Sequence, residues 1–348
     1  MTTNPLSESM PALVWEAPRR MALHTQSLPT LQADEVLIKV AFAGICGSEL
    51  SGYLGHNALR VPPLVMGHEF SGEIVARGEA VTDPQLALGT PVTANPMVYC
   101  GECDYCQSGR QSLCVQRRLV GAHRPGAFAG YVSIPARQVL PLPENVSLVD
   151  GALAEPVACA ARIVELAGVG RGETVFVAGA GTIGLLTLQI LLHQGAGRVF
   201  ITDVDALRLA AAGELGGEAL NPRAVEVVKT VREATGKRGV AASVDAVGLA
   251  LTREQCVSAT CTGGTLILSG LHEETSAMPV ADMIRREIVA RGCFAYSRAN
   301  FAYAVQLLAQ GAVRLSPWVV TAPLAEGGQW FDRLVEGASG AAKILLTP

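Results

Sequence analysis

Apolar positions along this chain change their period near residue 150. Before it they fall in short runs at 12–15, 35–43, 70–76, 92–94, 126–134 and 139–142, bounded by glycine, proline or polar residues. Runs of this length predict strands in a turn-rich β domain. From 150 to about 167 the spacing becomes helical, and a buried-type strand follows at 174–178. Helix and strand then alternate. Helices are predicted at 185–194, 206–215, 224–235 and 251–259, and strands at 199–202, 219–220, 242–246 and 264–269. That rhythm implies a doubly wound parallel sheet. A strand after Arg291, a helix at 300–310 and a last strand at 343–346 are expected to return to the first domain. The expected division is therefore 1–155 with 291–348 for the β domain and 156–290 for the parallel-sheet domain.

Composition narrows the function. At 348 residues the chain is long enough for two domains. A net charge of −4 opposes a nucleic-acid partner, which needs a basic face. No stretch approaches the roughly 18 apolar residues of a membrane span. The best one, 184–192, is broken by Thr187 and Gln189. Residues 1–10 are polar, so no secretion signal is expected. Nine cysteines, an odd number, then point to reduced thiols and a cytoplasmic protein. Cys159, Cys256, Cys261 and Cys293 sit among apolar or small residues and are expected to be buried spectators.

Three stretches carry chemistry. Gly44–Leu50 reads G-I-C-G-S-E-L and Gly67–Glu73 reads G-H-E-F-S-G-E. Cys46, His68 and Glu69 are a thiolate, an imidazole and a carboxylate, the donor types of a catalytic zinc. Cys46 follows the 35–43 strand directly, at a strand end or turn where site residues are commonly displayed. Cys100, Cys103, Cys106 and Cys114 are separated by two, two and seven residues. Four thiolates close tetrahedrally on one ion and leave no open position, as in a structural zinc. A redox pair or an iron–sulfur cluster is the other use of such spacing. The third stretch, Gly179-Ala-Gly181-Thr-Ile183-Gly184, lies between a predicted strand and helix, with Asp203 at the end of the next strand. In that setting G-x-G-x-x-G binds a dinucleotide, its pyrophosphate resting on the helix N-terminus. Asp203 would accept from the adenosine ribose hydroxyls and repel a 2′-phosphate, which favours NAD over NADP. Arg208 lies close enough in sequence to stack near the adenine or soften that choice. Ligand loops are expected at the strand ends around Asp203, Val247-Gly248 and Ser269–Leu271. Glu155, the one acid in an apolar helical run, calls for a partner such as a metal or the helix dipole.

In this order the motifs resemble the zinc-containing medium-chain dehydrogenase/reductase family, closest to its sorbitol, threonine and butanediol dehydrogenase branch. The likeness also takes in G-A-F-A-G-Y-V at 126–132 and A-E-P-V-A at 154–158, and covers residues 12–346. It implies an α/β protein, a GroES-like β-barrel catalytic domain with an inserted Rossmann domain. It implies two zincs per chain, one at Cys46, His68 and Glu69 and one at the four cysteines. Glu155 falls where the family has a fourth ligand or an acid close to the ligands. Ser48 matches the hydroxyl that carries the substrate proton away. The implied reaction is reversible oxidation of a secondary alcohol or polyol at the zinc, with hydride passing to NAD, in a homodimer or homotetramer. Two positions depart from the pattern. A relay histidine is replaced by Ser51, with His56 further on. The F-R-Y of sorbitol dehydrogenases reads Phe294-Ala295-Tyr296, with Arg298 beyond it. A zinc- and nucleotide-binding protein without dehydrogenase activity, or an NADPH-dependent quinone or enone reductase, is the competing expectation on this fold.

Overall fold

The computed structural model describes residues 8–337 and 341–348. The chain divides into Met1–Glu155 with Leu315–Pro348, and Pro156–Arg314. The return to the first unit thus comes at Leu315 and not at Arg291. The physical reason is pairing: Val289–Gly292 hydrogen-bonds in parallel to Thr260–Leu268, so it completes the second unit's sheet. Phe294, Tyr296 and Arg298 consequently belong to that second unit.

In the first unit a seven-stranded sheet runs Val139–Pro141, Pro91–Ala94, Glu69–Arg77, Glu35–Gly44, Lys343–Thr347, Val319–Pro323, with Tyr131–Pro135 also on Glu35–Gly44. A three-stranded sheet joins Arg20–Ser27, Ser9–Ala17 and Leu64–Val65. Their shared apolar core contains Trp15, Phe70, Phe128 and Phe331. The Glu35–Gly44 strand places the site. Its end pairs Gly44 with Glu69 on one side and with Leu345 on the other. Three segments far apart in sequence therefore meet beside Cys46.

The chain turns at Cys46 into a short helix, Gly47–Tyr53. Neither a strand end nor a turn describes it fully, because G-S-E-L-S-G-Y has too little apolar periodicity to announce a helix. The core holds its far end. Tyr53 is 1 % exposed, packs on Phe331 at 5.2 Å and donates its hydroxyl to Asp332 Oδ1 at 2.7 Å.

In the second unit the six-stranded sheet is all parallel, in the order Glu218–Leu220, Arg198–Thr202, Thr174–Ala178, Val240–Asp245, Thr260–Leu268, Val289–Gly292. This is the doubly wound arrangement expected from the alternation of strand and helix. Among the described residues no helix is long and apolar enough to cross a membrane.

Candidate active site

The ligand atoms of Cys46, His68 and Glu69 lie within 4.8 Å of one another. His68 is 4 % and Glu69 1 % exposed, so three donors converge in a largely dry pocket. Gly44 makes the convergence possible. A Cβ there would collide with Glu69 Oε2, so only glycine lets the carboxylate lie over the strand end.

Glu49 organises the imidazole. It is fully buried, and its Oε1 lies 2.8 Å from His68 Nδ1 and accepts from Gly67 N–H at 2.8 Å. Its Oε2 accepts from Cys46 N–H at 3.0 Å. With Nδ1 so engaged, Nε2 of His68 is the ring nitrogen left for a metal, as in carboxylate–histidine–metal sites. Burial pushes the Glu49 carboxyl up, but the His68 charge and hydrogen bond, Arg60 and the Cys46 amide outweigh it and hold the pKa below its ordinary value. His68 is desolvated too. Glu49 and Cys46 nevertheless raise its pKa well above the usual imidazole value, the mark of an anionic pocket that attracts a cation.

Lys343 completes the pocket. Its Nζ donates to Glu69 Oε1 at 2.8 Å, to Glu69 Oε2 at 2.7 Å and to Ile45 O at 3.1 Å. Burial disfavours its charge, but Glu69, Cys46 and Glu155 outweigh burial and raise the pKa. Glu155 stands outside the group of three donors, although it is 8 % exposed and acts electrostatically on Lys343. It begins the helix Ala154–Ala167, so its carboxylate is carried by a different element from those that gather the trio.

Ser48 is half-buried in the first turn of the Gly47–Tyr53 helix, and its hydroxyl points at Cys46 Sγ over 3.6 Å. Arg60 donates from Nη2 to Ser48 Oγ at 3.3 Å and from Nη1 to Ser48 O at 3.1 Å. Ser51 is half-buried, whereas His56 is exposed on the following turn.

The four cysteines form the second cluster, again with all sulfurs within 4.8 Å. Cys100 Sγ lies 3.8 Å from Cys106 Sγ and 3.5 Å from Cys114 Sγ. A disulfide requires about 2.05 Å, whereas thiolates about 2.3 Å from a tetrahedral zinc stand about 3.8 Å apart. The cluster thus has the dimensions of a metal site. The backbone amides of Cys103 and Glu102 hold the Cys100 thiol down at about 6. Burial pushes Cys106 up to about 12.

In the second unit Gly179 follows the first strand, and its N–H donates to Thr202 O at 2.9 Å. Gly181 caps the helix Thr182–His193, whose second residue is Ile183. A Cβ on Gly184 would overlap Gly179 O, which forces helix against strand, while one on Gly181 would meet nothing within 4 Å. The loop therefore leaves room at a helix N-terminus for a pyrophosphate. Asp203 Oδ2 accepts from Ala180 N–H at 2.9 Å and Oδ1 from Asp205 N–H at 3.0 Å. Arg208 Nη1 lies 3.9 Å from Asp203 Oδ2. Val247 and Gly248 donate to Asp245 Oδ1 at 3.1 and 2.9 Å, and Ser269 N–H to Asp245 O at 3.0 Å. Leu271 is 81 % exposed. These residues all sit at the C-terminal ends of the parallel strands, where such sheets bind ligands.

Of the residues important to the metal pocket, Glu49, Arg60 and Lys343 were missed. Glu49 had a signal, an acid three residues after the helix cap. Lys343 had a weaker one, a single cation opening the apolar run K-I-L-L-T.

Comparison with known proteins supplies the family. Residues 32–144 match the alcohol dehydrogenase GroES-like domain, and residues 182–310 match the zinc-binding dehydrogenase domain. D-arabitol-phosphate dehydrogenase of Enterococcus avium is 33 % identical over 341 residues, 95 % of this chain and 96 % of the relative. A Sinorhizobium meliloti 1021 protein assigned as a zinc-binding dehydrogenase, solved with NADP bound, has a TM-score of 0.91 at 32 % identity, covering 98 % of this chain and 100 % of that one. Galactitol-1-phosphate dehydrogenase from Escherichia coli has a TM-score of 0.89 at 27 % identity, covering 97 % and 100 %. The chain belongs to the zinc-containing medium-chain dehydrogenase/reductase family, and it is an oxidoreductase of that class.

Proposed function

We propose that the protein oxidises a secondary alcohol or polyol to the ketone, reversibly, with NAD as hydride acceptor. The observation that carries this reading is the convergence of Cys46, His68 and Glu69 beside a hydroxyl, Ser48. A zinc ion held by those three donors supplies Lewis acidity that lowers the pKa of an alcohol, and the nucleotide supplies the hydride acceptor. The chain's residues do the rest. Glu49 fixes the His68 ring. Ser48 relays the substrate proton: its Oγ accepts that proton as the hydroxyl's own proton passes on to water, so the serine ends neutral. Glu155 serves as an acid close to the ligands, acting on Lys343. Glycines 179, 181 and 184, with Ile183 and the loops at Val247-Gly248 and Ser269–Leu271, hold the nucleotide. The Asp203 carboxylate accepts from the ribose and disfavours a 2′-phosphate, with Arg208 offsetting part of its charge.

Metal-loaded protein assayed against a panel of secondary alcohols and polyols should reduce NAD, and NADP more slowly. Binding of zinc and NAD with no reduction across the panel would instead support a binding protein on this fold. Reduction of quinones or enones by NADPH without metal would support the reductase.

We assign the four-cysteine cluster to a second, structural zinc. Cys103→Ser should lower the metal content from about two to about one per chain. Structural zinc contributes directly to folding free energy, so the melting temperature should fall by several degrees or more. Unchanged zinc content and melting temperature would overturn this assignment.

A further inference from the structure

The Arg60 guanidinium is the least explained charge in the first unit. Arg60 is 4 % exposed, yet among the described residues no carboxylate lies within 4 Å of it. Burying a cation without a direct counter-ion is costly. Two of its nitrogens are used on Ser48, and Nε, also buried, has no hydrogen-bond partner. Glu49 tempers the charge without bonding to it. Its oxygens are taken by the Cys46 and Gly67 amides and the His68 ring.

Ser48 ties this cation to the metal pocket, because the hydroxyl that accepts from Arg60 lies 3.6 Å from Cys46 Sγ. Further positive charge lies nearby. Burial first, then the charges of Arg118, Arg117 and Arg60, keep the exposed His123 below its usual pKa, so three guanidiniums act on one ring. A neutral alcohol needs only a Lewis acid and a proton acceptor. Nη1 and Nη2 each carry a second N–H beyond the one given to Ser48, and such a pair adds the fixed fork geometry that carboxylate and phosphate oxygens fit.

We infer that the substrate is a polyol carrying an anionic group, a phosphate ester or a carboxylate, and that Arg60 recognises that group while the carbinol occupies the metal pocket. This inference rests on the oxidation proposed above. It makes Arg60 a specificity residue and gives the positive rim at Arg117 and Arg118 the task of drawing the anion in.

The test compares three substrates on one carbon skeleton: the polyol, its phosphate monoester and the corresponding aldonate. Zinc-loaded wild type should show a higher kcat/KM for at least one anionic form than for the polyol, and the favoured form identifies the group. Arg60→Met should lower that anionic-to-neutral ratio on the order of 10–100-fold, mainly through KM, since a charge-assisted hydrogen bond is lost. Arg60→Lys should restore part of it. The ratio cancels any general damage done through Ser48. Equal use of all three substrates by wild type, or an equal loss on all three in Arg60→Met, overturns the inference. If none is turned over, the alcohol and polyol panel described above decides the oxidation reading, and calorimetric titration of the same three compounds still decides Arg60. Phosphate ester bound more tightly than polyol by wild type but not by Arg60→Met supports it. Equal binding of ester and polyol by wild type, or an ester preference that survives in Arg60→Met, overturns it.

Discussion

Cys46→Ser is expected to lower kcat/KM by on the order of 10³-fold or more and to remove metal from the first pocket. Lewis-acid stabilisation of developing charge is worth several kcal/mol, and each 1.36 kcal/mol is about tenfold in rate. Serine is a poor zinc ligand because its hydroxyl does not ionise near neutral pH. The loss should not come from unfolding. Cys46 occupies the N-cap of the Gly47–Tyr53 helix with φ −100° and ψ 151°, and serine is among the best residues at an N-cap. With zinc absent from the first pocket in both proteins, melting temperature should therefore stay close to wild type, while the zinc content of the loaded variant falls by one per chain. Full alcohol-dependent NADH formation by this variant would sink the metal assignment.

Lys343→Met should have the largest effect on stability, and the effect should depend on metal. The variant leaves Glu69 buried at 1 % exposure with the partner of both its oxygens gone. Breaking a buried pair by removing one member typically costs about 3–5 kcal/mol. Metal-free protein should lose about that much in denaturant unfolding. Zinc should recover a large part of it, because a dication then compensates the carboxylate and because binding only to the native state stabilises it. Kinetic measurements on the loaded variant would show whether Lys343 also sets how firmly Glu69 holds the ion. A metal-free Lys343→Met protein as stable as wild type would mean that the Glu69–Lys343 contact does not hold the pocket together.

The two predictions differ in how far ahead they could be seen. Cys46, His68 and Glu69 announce themselves because their side-chain chemistry and flanking glycines are local. The second unit was legible for the same reason. Strand, glycine loop, helix and acid succeed one another within thirty residues, so one short stretch of Thr174–Asp203 contains the whole fingerprint. The four cysteines are likewise a single loop. Other features were less visible. The Gly47–Tyr53 helix carries Ser48, yet it is too short and too polar for periodicity to find. Residues 291–314 were assigned to the wrong unit, since a strand's sequence does not say which sheet it will join.

By itself the sequence determined the donor types, the glycine loop between strand and helix and the family, because each depends on residues close together in the chain. Tertiary structure decided what surrounds them. Lys343 reaches Glu69 across 274 positions only because Lys343–Thr347 pairs with Glu35–Gly44 and Glu35–Gly44 pairs with Glu69–Arg77. Glu49 reaches His68 only where the short helix meets the start of that neighbouring strand. Arg60 looks like a loop cation in the sequence, and the fold buries it against Ser48 with one nitrogen unspent. The physical reason is common to all three. Burial and long-range strand register turn ordinary surface-type charges into fixed, desolvated partners, and neither can be read from spacing along the chain.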